Sequence, residues 1–207
     1  MNIECLTLGS MQVNCYVLCE NGEAVVIDPG SECDKVMSYI EKSGCNLSKI
    51  LLTHGHFDHI GAAKELAEKS GAEVYVHSGD APMLEDNSKN LSYLTGEEIE
   101  TFSADKFLDD VEKLTVGNSE IKVYYTPGHS KGSISFLCGD NLFCGDLLFK
   151  GSIGRFDHGS LRIELTSLKF LMDNFSDDIK VFPGHGESTT IGEERRNNPY
   201  ILNHVLD

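Results

Sequence analysis

Three apolar runs in this chain close on the same dipeptide: "VVIDPG", "YYTPGH" and "KVFPGH" end at Pro29-Gly30, Pro127-Gly128 and Pro183-Gly184. They take three of the five prolines. Proline lacks a backbone donor and stops a strand's hydrogen-bond ladder, and glycine then allows a sharp turn. Each run is therefore read as a strand that hands the neighbouring Asp or His to a loop at its end. In sheet proteins such loops carry the chemistry.

The rest of the chain supplies strands and helices for two similar halves. "IECLTL", "VNCYVL" and "EAVVID" read as successive strands of a meander, with the Asn21-Gly22 pair marking a hairpin. Val36, Met37 and Ile40 have helical spacing over 33–43, with Gly44 as the stop. "KILLT" reads as a buried strand, followed by a second helix over about 59–70 and the strand "AEVYVH". Residues 78–101 are polar and irregular and are expected to form a flap. Four or five more strands are expected over 107–149, an amphipathic helix over 160–174, a last strand "IKVFP" and a short C-terminal helix. With 207 residues the chain is expected to be one domain, 1–207, burying about 70% of its extended surface.

Directly after "KILLT" comes "HGHFDH", which sets His54, His56, Asp58 and His59 within six positions. In an extended segment His54, His56 and Asp58 point to one side, and His59 opens the next helix on the other. Crowded imidazoles repel once protonated, and buried ones without partners leave nitrogens unsatisfied. A metal ion removes both difficulties. Imidazole and carboxylate donors suit zinc, iron or manganese and hardly suit calcium. His129 and His185 stand in two of the Pro-Gly loops, and Asp146 ends the strand "NLFCGD", so each is a further candidate ligand.

The order HxHxDH, His, Asp, His over residues 54–185 resembles the signature of the metallo-β-lactamase fold superfamily. That resemblance implies an α/β fold, a four-layer αβ/βα sandwich with two divalent metal ions at one edge. It implies that His54, His56 and His129 bind one ion, Asp58, His59 and His185 the other, and that Asp146 bridges them. The Asp matching Asp28 would support the ligands from behind. A water between two such ions deprotonates near neutral pH, and the resulting hydroxide attacks a polarised carbonyl, with Asp58 and Asp146 orienting it. Hydrolysis is the chemistry implied.

"GDLLFKGSIGRFDHGS" and "VFPGHGESTTIGEERRNNPYI" resemble the glyoxalase II branch, in particular its short bacterial hydroxyacylglutathione hydrolase-like members. The expected substrate is a small acyl thioester, and the expected metal is zinc, with iron or manganese as alternatives. In the familiar di-zinc β-lactamases a cysteine serves the second metal, whereas Asp146 stands here with Cys144 two positions before it. β-Lactams are therefore not the expected substrate. The helical domain that holds glutathione in glyoxalase II proper has no counterpart in the eight residues after Pro199. Arg155 is then the candidate for binding a substrate carboxylate, because a guanidinium grips one bidentately. An iron-dependent persulfide dioxygenase of the same superfamily is the main alternative, since its motif residues are similar.

Seventeen basic against 33 acidic residues give a net charge of −16, which repels phosphate backbones. Neither a nucleic-acid partner nor a nuclease activity is expected. A purely structural metal module is disfavoured, because structural sites are closed by four protein ligands and this donor set leaves room for water. No run of 18 apolar residues and no basic residue before Lys35 suggest neither a membrane span nor a signal peptide, hence a cytoplasmic location. The seven cysteines, an odd number in apolar surroundings, read as buried reduced thiols. His77, His158 and His204 lack a motif and read as ordinary structural or surface residues.

Overall fold

The computed structural model describes residues 1–96, 99–109, 113–156 and 160–205. Its first half begins as the expected meander: β1 (Asn2–Leu8), β2 (Val13–Glu20) and β3 (Glu23–Ile27) pair antiparallel. Asn21 and Gly22 both take the left-handed backbone that a tight hairpin of this hand requires. α1 (Cys33–Ser43) ends on Gly44 at φ 71° and leads to β4 (Asn46–Leu51), parallel to β3. After β4 come α2 (Phe57–Ile60) and α3 (Ala63–Ser70), then β5 (Glu73–Val76), α4 (Ala81–Leu84) and β6 (Lys106–Phe107). The order in this sheet is β1-β2-β3-β4-β5-β6.

The second sheet is built from β7 (Lys113–Val116), β8 (Ser119–Tyr125), β9 (Ile134–Cys138) and β10 (Asn141–Gly145). A small hairpin, β11 (Leu148–Phe149) with β12 (Ser152–Ile153), precedes α5 (Leu161–Asn174). β13 (Lys180–Pro183), β14 (Thr189–Thr190), α6 (Ile191–Asn197) and α7 (Pro199–His204) complete the half. Its order is β14-β13-β10-β9-β8-β7.

Alternation along the strands explains the layering. In β3, Val25 and Ile27 pack between the sheets with Phe136 and Phe143, whereas Ala24 and Val26 face Val36, Ile40 and Leu66 of the helical side. In β10, Phe143 points between the sheets, and Leu142 and Cys144 meet Leu168 and Leu171 of α5. Each central strand is buried on both faces and so reads as a continuous apolar run. The result is the four-layer αβ/βα sandwich.

Three expectations are corrected. The helix over 59–70 is broken after Ile60, because the segment there packs on the loop after β3: a Cβ on Gly61 would overlap the Gly30 carbonyl oxygen. "IKVFP" is followed by one more two-residue strand, and the C-terminal helix is two, separated at Asn198, whose side chain caps the second through Tyr200 and Ile201 amides. Of the seven cysteines, all free, Cys5 is exposed and Cys45 half-buried. The 78–96 stretch contains α4 and a 3-10 turn at Ser92–Leu94 and lies over the site described next. No helix among the described residues is long and apolar enough to cross a membrane.

Candidate metal centre

The loops after β3, β4, β8, β10 and β13 meet at one edge of the sandwich, and the seven candidate ligands arrive on four of them. Their close approach depends on the Pro-Gly turns. A Cβ at Gly184 would collide with the Asp146 carboxylate and the His59 ring, and one at Gly30 would overlap the Asp58 carbonyl oxygen. Glycine is required at both places because another segment occupies the space of a side chain.

His54, His56 and His129 form one group and Asp58, His59 and His185 a second, each with donor atoms within 4.8 Å of one another. Asp146 lies between the groups. Its Oδ1 is 3.3 Å from His59 Nε2, and its Oδ2 is 3.7 Å from both His129 Nε2 and His185 Nε2. His54 and His59 are fully buried, His56 and His129 nearly so.

What lies behind the rings decides which nitrogens face the centre. His129 Nδ1 donates to the Arg155 carbonyl at 2.7 Å, and His59 Nδ1 to Asp28 Oδ2 at 3.0 Å. Thr53 Oγ1 spends its proton on Asp28 at 2.6 Å, so it accepts from His54 Nδ1 at 3.1 Å. Each of the three rings thereby turns an Nε2 lone pair inward. His54 Nε2, His59 Nε2 and Asp146 Oδ1 are buried and have no hydrogen-bond partner. Such orphaned polar atoms are rare in folded proteins, and cations held in the two groups, with Asp146 between them, would satisfy all three. The donor set therefore fits divalent metal ions.

The electrostatics divide along the same line. Burial and the surrounding imidazoles hold His54 well below the ordinary histidine range, and burial, then His129, lowers His56 to about 3. Both are neutral at pH 7. For His59 burial pulls the other way, but Asp146, Asp58 and Asp28 overcome it and raise the ring well above its usual value. Asp58 and Asp146 likewise outweigh burial to raise His185. Burial would raise the Asp146 carboxyl, and His59, His129 and His185 reverse this to hold it well below the carboxylate range.

Several residues that the sequence did not reveal hold the ligand loops. Asp80 is buried and its carboxylate accepts from Gly55 N (3.0 Å), Ser130 Oγ (2.6 Å) and Gly132 N (2.6 Å), stapling the His54/His56 loop to the His129 loop. Asn14 holds the His185 loop, donating from Nδ2 to the Pro183 carbonyl (3.1 Å) and the Gly186 carbonyl (2.9 Å). A buried polar residue inside the apolar run "VNCYVL" was the available signal for Asn14. Asp80 had none, because an Asp in an irregular polar segment is ordinary.

The remaining sequence candidates separate. Asp28 stands behind the centre with both oxygens engaged, one by Thr53 N at 2.8 Å. Cys144 is buried, its thiol donates to the Leu148 carbonyl at 3.3 Å, and burial pushes it up to about 12, so it supplies no thiolate. His77 stacks on Tyr125 at 4.5 Å and accepts from Gly79 N at 2.9 Å, a structural role. His204 lies at the end of α7, and His158 lies outside the described residues. A cavity of about 420 Å³ opens over the centre, walled by Met11, Phe57, Leu91, Leu94 and Phe149, with Arg155 on its side.

The sequence pattern of the metallo-β-lactamase superfamily matches residues 8–185. The chain belongs to the metallo-β-lactamase superfamily. A relative named hydroxyacylglutathione hydrolase GloC, from Haemophilus influenzae, is 34% identical over 97% of this chain and 98% of its own. Among solved structures, the BLEG-1 B3 metallo-β-lactamase superposes with a TM-score of 0.92 at 37% identity, over 98% of this chain and 100% of that one. TTHA1623, in a di-iron-bound form, gives 0.86 at 36% identity over 95% and 99%.

Proposed function

We propose that this protein is a metal-dependent hydrolase that cleaves a small acyl thioester, with His54, His56 and His129 holding one divalent ion, Asp58, His59 and His185 a second, and Asp146 between them. The observation that carries the reading is the set of orphaned atoms, His54 Nε2, His59 Nε2 and Asp146 Oδ1, converging from the segments after β4 and β10. Two divalent ions held there would supply a Lewis acid for a carbonyl and a water that deprotonates near pH 7. Zinc is the first expectation, and the di-iron form of TTHA1623 keeps iron beside it.

The protein's own groups supply the remaining steps. Asp58 and Asp146 are acceptors at the centre and orient the attacking water toward the carbonyl carbon. The apolar wall of Phe57, Leu91, Leu94 and Phe149 limits bulk water around the acyl carbon. Arg155 binds a carboxylate on the thiol half. A departing thiolate needs little help from a general acid, because thiols have pKa values near 8.5.

The GloC relative supports the thioester, and the BLEG-1 likeness supports β-lactam hydrolysis as a second reading. Purified protein with measured metal content, assayed against lactoyl-glutathione, an acetyl thioester, a β-lactam and glutathione persulfide, separates them. Two metals per chain and thiol release are the expected result. Ring opening of the β-lactam alone replaces the thioester with the second reading, and one iron with oxygen uptake on persulfide overturns the hydrolase.

A further inference from the structure

A second cleft, of about 400 Å³, shares the His56 and His129 rings with the cavity that Arg155 lines. Its other walls come from the 79–83 turn, Lys89, Ser130 and Lys131. Two ammonium groups thus flank one edge of the metal centre in a chain of net charge −16, where Lys and Arg together number only 17. The concentration of cations at a cleft in such a chain calls for a ligand.

The cleft is a rigid piece of the fold. Gly79 and Gly132 pack backbone to backbone: a Cβ on Gly132 would strike Asp80, and one on Gly79 would lie 3.1 Å from the Gly132 Cα. Asp80 closes the floor, its carboxylate already engaged by three donors from the two histidine loops. The Lys131 backbone is anchored where its carbonyl accepts from Tyr125 Oη at 2.9 Å. The Lys89 ammonium pairs with Asp86 at 3.2 Å, with both side chains exposed, and such surface pairs exchange partners at little cost. Among the described residues no carboxylate forms an ion pair with Lys131.

We infer that this cleft is a second anion subsite, in which Lys89 and Lys131 hold a carboxylate on the acyl half of the substrate. The inference rests on the thioester reading, in which the thiol half lies toward Arg155. With the scissile carbonyl at the ligand cluster and the thiol half in the larger cavity, the acyl half extends past His56 and His129 into the cleft. The preferred substrate class is then a thioester of a short dicarboxylic acid, anionic on both sides of the bond that breaks. Water adds to the carbonyl carbon and the carbon–sulfur bond breaks; the products are the dicarboxylate and the free thiol, with no change of oxidation state.

The test compares succinyl-glutathione with lactoyl-glutathione on the metal-loaded protein and its Lys89→Ala/Lys131→Ala variant. Wild type is expected to show a KM about tenfold lower for the succinyl thioester, in line with a charge-assisted contact. The double variant should lose that preference with kcat on succinyl-glutathione held within about twofold, and Lys89→Arg/Lys131→Arg should restore it. A preference that survives in the double alanine variant overturns the subsite. Calorimetric titration of succinate into both proteins separates this from the thioester reading. If wild type cleaves neither thioester, that reading fails, while lysine-dependent succinate binding still upholds the cleft. Equal succinate affinity in the two proteins overturns the cleft whatever the turnover.

Discussion

The two halves of the centre are built from similar side chains and behave oppositely. His54, His56 and His129 are nearly solvent-free and include no carboxylate, and burial together with mutual repulsion keeps His54 and His56 unprotonated at pH 7. Asp58, His59 and His185 have carboxylates facing imidazoles, which draws His59 and His185 toward the protonated form. His185 Nε2 lies 3.2 Å from Asp58 Oδ2, and its side chain is 26% exposed. The first group presents lone pairs ready to bind; in the second, carboxylates favour the protonated imidazole, so protons compete with a metal more strongly there. Similar residues thus form a preorganised site and a proton-linked one, and the difference comes from where the carboxylates fall.

The most severe way to break this comparison is to remove the group the halves share. Asp146→Ala should lower turnover by more than the ~100-fold typical of losing an outer partner, and should reduce metal content in both halves. Full turnover with two metals retained, read by kinetics and elemental analysis, would falsify the bridging role.

Next come the supports, Asp80 behind the first half and Asp28 chiefly behind the second. Asp80→Asn should weaken metal binding in the three-histidine group by about 10–100-fold, because it disturbs the Gly55, Ser130 and Gly132 contacts. Asp28→Asn should weaken the second group more than the first, because it bonds His59 directly and reaches His54 only through Thr53. Metal titrations in which both variants weaken the same ion would erase the distinction.

Acidification sharpens it. Groups whose pKa is raised compete with metal for a proton over a higher pH range, so affinity in the Asp58–His59–His185 group should fall as pH drops. Each proton displaced on binding contributes at most ~10-fold of affinity loss per pH unit. His54 and His56 are lowered, so their lone pairs stay open over the same interval and the first group should change little. Calorimetry in buffers of different ionisation enthalpy would count the protons; equal release from both groups would contradict the assignment.

The smallest effect is expected at the rim. Arg155→Ala should raise KM for glutathione thioesters about tenfold and leave a thioester of a neutral thiol nearly unchanged. Its backbone carbonyl, which fixes His129, remains in the variant. An equal rise on both substrates would mean that Arg155 acts through the loop and not on a carboxylate.

Much of this was legible before any coordinates. The strands, the two-half order and the strand ends that carry Asp and His follow from residue type and period, because apolar alternation and Pro-Gly stops act locally; the layered sandwich and the ligand order were implied by the resemblance to the superfamily. The break after Ile60 was not legible, since it arises from the Gly30 loop packing on the Gly61 turn. Nor was Asp80, which joins loops 25 and 50 residues away in the chain. The sequence by itself determined which side chains offer metal-binding donors and in what order they arrive along the chain. Only the tertiary structure decided which nitrogen of each ring faces inward, which half's imidazoles face carboxylates and that Lys89 and Lys131 line one cleft, because hydrogen bonding, burial and charge proximity depend on distances between segments that sequence spacing does not encode.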